Sequence, residues 1–218
     1  MLAGLLSDRV AVADAEVAGF GPPDPDDARW VADAVDKRRR EFAAGRALAR
    51  QALARLGVPA EACRLEPDEH GLPRWPAGLV GSITHAGGWC AAAVARAGEV
   101  RSLGIDGEDL ARAPGRPDWL HLVLRPAERD ALADLDPDAV GPRALLIFSA
   151  KESFYKCQFP LTRARLGFQD AEVVVRPDRG AFDLECAVPL PGLPRRWSGR
   201  FAVTERLVLT AVELPVGR

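Results

Sequence analysis

Twice along the chain a long helical pattern is followed by short apolar strands, and this repeated order constrains the fold more than any other feature. The first helical pattern starts near Asp26 or Asp27, either of which can cap it, and runs to about Leu56, where Gly57 and Pro59 end it. Phe42, Leu48, Ala49, Ala52, Leu53 and Leu56 supply its apolar side. "LVGSITH" and "WCAAAVARA" then read as two strands joined by the turn "HAGG", and "VRSLGIDGEDL" as a strand running out into a loop. The second half opens with the helices "RPAERDALADL" and "GPRALLIFSAKESFYKCQF", Pro126 taking an early helical position in the first. The strands "AEVVVRP", "AFDLECAV", "WSGRFAVTE" and "RLVLTAVEL" follow. Ahead of everything, "VAVADAEV" reads as an edge strand and "GFGPPDPDD" as a loop. A duplicated α/β unit accounts for this order.

The bulk numbers exclude several function classes. The formal net charge of −2 over 218 residues argues against a general nucleic-acid binder, which needs a strongly basic surface. It leaves room for a phosphate-rich ligand held by local basic clusters. Cys63, Cys90, Cys157 and Cys186 form no C-x-x-C pair, which argues against a structural zinc site and for reduced, buried thiols in a cytosolic protein. The start "MLAGLLSDRVAVADAEV" is a poor secretory signal. With no run of about 18 apolar residues, no membrane span is expected.

Three clusters carry chemistry. "GIDGED" puts Asp106 and Glu108 two apart at a strand end, so both side chains leave on one side, with the Gly107 carbonyl between them. Such hard oxygens suit Mg²⁺, which keeps waters and shares phosphate oxygens; a solvated acidic turn is the plain alternative. In "FSAKESFYK", Glu152 and Lys156 lie one helical turn apart among Phe148, Phe154 and Tyr155. They read either as a surface ion pair or as groups serving a site, and the scarcity of solvated face favours the site.

The basic run "DKRRREFAAGRALAR" is the second cluster. Helical spacing brings Arg39, Arg46 and Arg50 within about 40° of one another, with Arg38 about 80° from Arg46. Guanidinium groups donate two bonds at once to phosphate, although a solvated basic face is an equally good account of the run. "GSITHAGG" is the third. It sets His85 at a strand end beside the hydroxyls of Ser82 and Thr84 and before two glycines that let backbone N–H groups approach an anion. No G-x-S-x-G, G-x-G-x-x-G or G-x-x-x-x-G-K-[ST] pattern is present.

"RRREFAAGRALAR", "GLPRWPAGLVGSITHAGG", "GIDGED", "LRPAERDAL" and "FSAKESFYK" stand in the order and at the spacing of the 4'-phosphopantetheinyl transferases. The chain most resembles the enterobactin-synthase-component-D-like branch, and within it the actinobacterial enzymes. The resemblance implies an α/β (α+β) fold of two pseudo-symmetric halves, residues 1–103 and 104–218, each a small, mostly antiparallel sheet packed with a long helix. It implies a cytoplasmic, monomeric enzyme without nucleic-acid or membrane partners. Such an enzyme moves the phosphopantetheine arm of coenzyme A to a serine of an acyl or peptidyl carrier protein and releases 3',5'-ADP. The pathways served by such enzymes make siderophores, polyketides, nonribosomal peptides or fatty acids.

By motif position, Asp106, Glu108 and Glu152 would hold Mg²⁺ (or Mn²⁺), with the Gly107 carbonyl as a further ligand. Glu152 would complete that metal site, act as base on the carrier serine, or do both. Lys151 and Lys156 would face the CoA phosphates, His85 the 3'-phosphate, and Arg38 and Arg46 further phosphate or the adenosine end. Thr84 stands where serine is frequent. Leu72 replaces a lysine carried by some relatives, with Arg74 as its substitute. Helix geometry favours Arg39 as the ligand-facing arginine, and motif alignment favours Arg38. The rival readings are a Mg²⁺-dependent phosphohydrolase acting on CoA or nucleotides and a non-catalytic CoA- or carrier-binding module.

Overall fold

The computed structural model describes residues 2–59, 62–113 and 119–217. Its elements, in chain order and joined in places by short 3₁₀ turns, are β1 (Val10–Glu16), α1 (Pro25–Ala28), α2 (Asp36–Arg55), β2 (Leu79–Ala86), β3 (Trp89–Arg96), β4 (Val100–Asp109), α3 (Leu120–Val123), α4 (Pro126–Ala133), α5 (Pro137–Thr162), β5 (Ala171–Arg176), β6 (Ala181–Cys186), β7 (Arg196–Val203) and β8 (Leu207–Pro215). Two antiparallel sheets result, one of three strands in the order β1-β3-β2 and one of five in the order β4-β8-β7-β6-β5.

The alanine-rich β3 is buried on both faces, which explains why it reads as a continuous apolar run. Cys90, Ala92 and Val94 pack under α2 against Leu48, Ala49, Ala52 and Leu53. The alternate residues Ala91, Ala93 and Ala95 meet Leu103 and Ile105 of β4 and Leu207, Leu209 and Ala211 of β8. The three-stranded sheet is thus sandwiched between its own helix and the second sheet. On the far face of the second sheet, α5 lies across β4 and β8. Gly104 permits that crossing, because a Cβ there would run into the Ser153 carbonyl oxygen and the Cys157 N–H. The Ser102 hydroxyl then donates to the Cys157 carbonyl at 2.6 Å.

Each half therefore has a long helix on an antiparallel sheet. Two expectations change in detail. The first long helix is broken: Asp24, not Asp26 or Asp27, caps the four-residue α1 by accepting from the Asp26 N–H at 3.1 Å. The chain then tightens into a 3₁₀ turn over Arg29–Val31, is extended at Val35 and begins α2 at Asp36. Asp27 is buried in an ion pair with Arg50 at 2.6 Å, and that use pulls it out of a capping role. The boundary expected after Leu103 falls inside β4, whose ladder with β8 begins at Val100; the change of sheet comes at the turn 97–99. Among the described residues no helix is long and apolar enough to cross a membrane.

Candidate active site

The edges of the two sheets meet where β2 runs beside β4. No ladder joins them. Side-chain hydroxyls do: Ser82 accepts from the Ile105 N–H at 3.2 Å and Thr84 from the Gly107 N–H at 3.0 Å. A strand residue turns its N–H and C=O to the same edge, so the Gly107 carbonyl also points toward β2. A Cβ at Gly107 would crowd the Trp89 ring, so a larger residue does not fit there without movement.

Asp106 is 4% exposed and accepts from three side chains. Its Oδ2 accepts from Ser149 at 2.7 Å. Its Oδ1 accepts from Lys156 Nζ at 2.6 Å and from Thr84 at 3.3 Å. Ser149 is held in turn by Thr210 of β8 at 2.9 Å. Glu108 and Glu152 share this neighbourhood but make no hydrogen bond or ion pair among the described residues. Burial and the Asp106 charge push Glu108 up to about 7, and the same two causes raise Glu152 against the pull of Lys156. The cluster is thus a partly buried anionic set with an unmet demand for positive charge.

Beside it opens a cleft of about 720 Å³ between α2, β2, the loop 68–75 and the C-terminal turns of α5. Arg38, Arg46, Arg74, His85 and Lys156 all line it. Arg46 is 5% exposed, its Nε has no partner, and its guanidinium sits 4.5 Å over the Phe42 ring. Burial pulls it down to about 10. Arg38 donates to His85 Nε2 at 2.8 Å. Arginine has no acceptor, so the His85 proton sits on Nδ1, which faces Glu41 at 3.5 Å. Burial, with Arg38 and Lys156 adding to it, holds this imidazole below the ordinary histidine range, hence neutral near pH 7. Among the described residues that line the cleft, Lys156 alone bonds a carboxylate of this set, Asp106.

Two sequence-predicted contacts lie elsewhere. Lys151 faces away from the cleft. The residue is 3% exposed, and its ammonium donates to Glu128 at 2.7 Å and to the carbonyls of Val123 and Phe168 at 2.8 and 2.9 Å. An ammonium with three acceptors already in place has none of its three donors left for a phosphate. Thr84 is buried in the β2–β4 seam and does not line the cleft. Of the three adjacent arginines, Arg38 lines the cleft and Arg39 and Arg40 do not. A residue-by-residue reading also missed Ser149. It lies about 20° from Lys156 around α5 and so on the same stripe, a signal the spacing carries.

Comparison with known proteins decides the family. The model of the 4'-phosphopantetheinyl transferase N-terminal domain matches residues 26–95, and that of the 4'-phosphopantetheinyl transferase superfamily matches residues 102–202. The chain is 46% identical over 195 residues to 4'-phosphopantetheinyl transferase Svp of Streptomyces mobaraensis, spanning 86% of this chain and 77% of Svp. The chain belongs to the 4'-phosphopantetheinyl transferase superfamily.

It is 41% identical over 204 residues to the transferase PptT of Mycobacterium tuberculosis, covering 88% of this chain and 86% of that one. It is 35% identical over 138 residues to enterobactin synthase component D of Escherichia coli O157:H7, covering 63% and 62% of the two chains. As a 4'-phosphopantetheinyl transferase, the protein must hold a long, anionic donor next to groups that activate a hydroxyl. In this fold the cationic cleft and the carboxylates lie side by side, joined by the contact of Lys156 with Asp106.

The donor chemistry fits a hard divalent cation. Two glutamates raised by burial and by Asp106 lack partners, and a cation would relieve them. Among the described residues no group of three His, Cys, Asp or Glu side chains is gathered closely enough to enclose a metal. Mg²⁺ is usually held by one or two carboxylates and completes its shell with water and substrate phosphate.

Proposed function

We propose that the protein takes the phosphopantetheine arm from coenzyme A lying in the 720 Å³ cleft and delivers it to a serine of an acyl or peptidyl carrier protein, releasing 3',5'-ADP. The observation that carries this reading is Lys156, which lines the cationic cleft and bonds Asp106 at 2.6 Å, so that the phosphates and the carboxylates meet at one ammonium. In this reading Arg38, Arg46, Arg74 and His85 bind the phosphate-rich end of CoA. Neutral His85 would do so with its one N–H, turned from Glu41 to the phosphate, and the guanidinium groups by charge.

One or two of the carboxylates of Asp106, Glu108 and Glu152 would hold Mg²⁺ or Mn²⁺, with water and substrate phosphate completing the shell. A cation held there neutralises charge on the CoA pyrophosphate. The chain's own groups do the rest. Glu152 would accept the proton of the serine hydroxyl as it attacks. The serine oxygen forms a bond to the phosphorus that bears the pantetheine arm, and the bond from that phosphorus to 3',5'-ADP breaks. Lys156 keeps two further N–H donors beyond Asp106 and stabilises the charge that builds on the leaving group.

Mass spectrometry of a panel of apo carrier proteins, each incubated with CoA and Mg²⁺, tests the reading. The expected result is a phosphopantetheine mass gain on at least one carrier, abolished by a chelator. Glu152→Gln should slow the transfer by about a hundredfold or more while leaving CoA binding in place. CoA cleavage without a carrier would indicate a hydrolase and overturn the reading.

A further inference from the structure

One contact crosses the mouth of the cleft and has no part in the chemistry above. Arg163 caps α5 with φ 56° and ψ 12°, the one non-glycine residue with positive φ among the described residues. Such a conformation persists in an L-residue only where the surroundings hold it. Arg163 Nη1 donates to Asp68 Oδ2 at 2.8 Å, across 95 residues of chain and from one half of the molecule to the other. The guanidinium also lies 5.6 Å over the Phe159 ring.

Asp68 is the centre of the loop it belongs to. Its Oδ1 accepts from the N–H groups of His70 and Leu72, both at 2.9 Å. The Arg74 N–H bonds the Glu66 carbonyl at 2.8 Å, and Pro67 bridges to Pro73, closing residues 66–74 into a narrow hairpin. His70 packs edge-on against Phe159 at 5.3 Å. A single carboxylate therefore shapes the loop that carries Leu72 and Arg74. It also ties that loop to the last turn of the helix that carries Glu152 and Lys156. Both sides line the cleft. Burial pushes Asp68 up, but Arg163 and the two N–H groups outweigh it and hold the carboxyl below its usual range.

We propose that Asp68 and Arg163 form a latch at the mouth of the cleft, acting as positioning residues that hold the 66–74 loop against the end of α5 around a bound CoA. The latch rests on the reading of this cleft as the CoA site. The Arg163 side chain is 47% exposed, so the pair adds little to global stability, as suits a contact that opens and closes.

Two variants test it, read by calorimetry with CoA and by steady-state kinetics. Asp68→Asn keeps the Oδ1 acceptor that shapes the loop and loses the charge. Arg163→Gly removes the guanidinium and relaxes the left-handed backbone, so it folds at least as stably. Each should weaken CoA binding and raise its KM by about three- to tenfold with kcat within about twofold. The double variant should be no worse than either single one, because both remove the same contact. Arg163→Lys should recover part of the loss. Unchanged CoA affinity in both variants, or losses that add in the double variant, would overturn the latch and leave the CoA site standing. A wild-type protein that binds no CoA would overturn the cleft reading and the latch with it.

Discussion

A guanidinium kept in a cleft with no acceptor for its Nε is a costly group, and Arg46 is such a group. Desolvation pulls it down to about 10, so the fold holds the cation against a penalty that an anionic ligand would lift. Arg46→Met keeps the volume and the contact with Phe42. It should stabilise the ligand-free protein by about 1 kcal/mol while weakening CoA binding by about tenfold or more. Urea denaturation and calorimetry on the same preparation read both effects, and a loss of stability would show that the side chain is already satisfied without a ligand. Cys90 and Cys157 behave in the opposite sense. Burial pushes each thiol up to about 12, above its ordinary value of 9.0. The folded protein then holds these protons while the unfolded chain releases them. Their contribution to stability is whole below about pH 9 and is lost as pH rises through about 12. Denaturation midpoints should fall across that window. At pH 8 an alkylating reagent should leave both thiols unmodified until the chain is unfolded.

Elements were legible where their period was clean. All eight strands stand where apolar runs or alternation placed them, β3 included, because small residues on both faces mark a strand covered on both sides. The start of the first long helix was not legible. Whether Asp27 caps a helix or pairs with Arg50 depends on how α2 returns past it, which local sequence does not state. The site splits the same way. Glu152 and Lys156 differ by about 40° around α5, whereas Lys151 lies about 100° from Glu152, and only the angle separates the cleft side from the Glu128 side. Grouping the charges by motif put Lys151 with the wrong neighbours, since its carboxylate partner Glu128 is 23 residues away. The close crossing of α5 over β4 was equally hidden, because a glycine in a strand carries no pattern. Gly104→Ala should cost about 3 kcal/mol, since the obstruction is backbone and cannot rotate aside. Gly98, with open space around it, is the control: Gly98→Ala should leave the urea midpoint nearly unchanged.

At the scale of the molecule, two sheets present bare edges, β2 and β4, and the hydroxyls of Ser82 and Thr84 close them. Each hydroxyl accepts a β4 N–H that no neighbouring strand reaches, which answers the demand that a buried donor be paired. Thr84 does more, donating to Asp106 at 3.3 Å. The joint between the halves is thereby the same atom that helps aim the acid of "GIDGED". Thr84→Val is nearly isosteric and strips both functions. It leaves the Gly107 N–H without an acceptor, a loss of about 2 kcal/mol in stability, and it frees Asp106 to turn. Because Thr84 does not line the cleft, transfer rate should fall well beyond any change in CoA affinity. Thr84→Ser, which keeps the hydroxyl, should restore both stability and rate. Equal losses of rate and CoA affinity in the valine variant would instead put Thr84 in contact with the ligand and show that the seam opens when CoA binds.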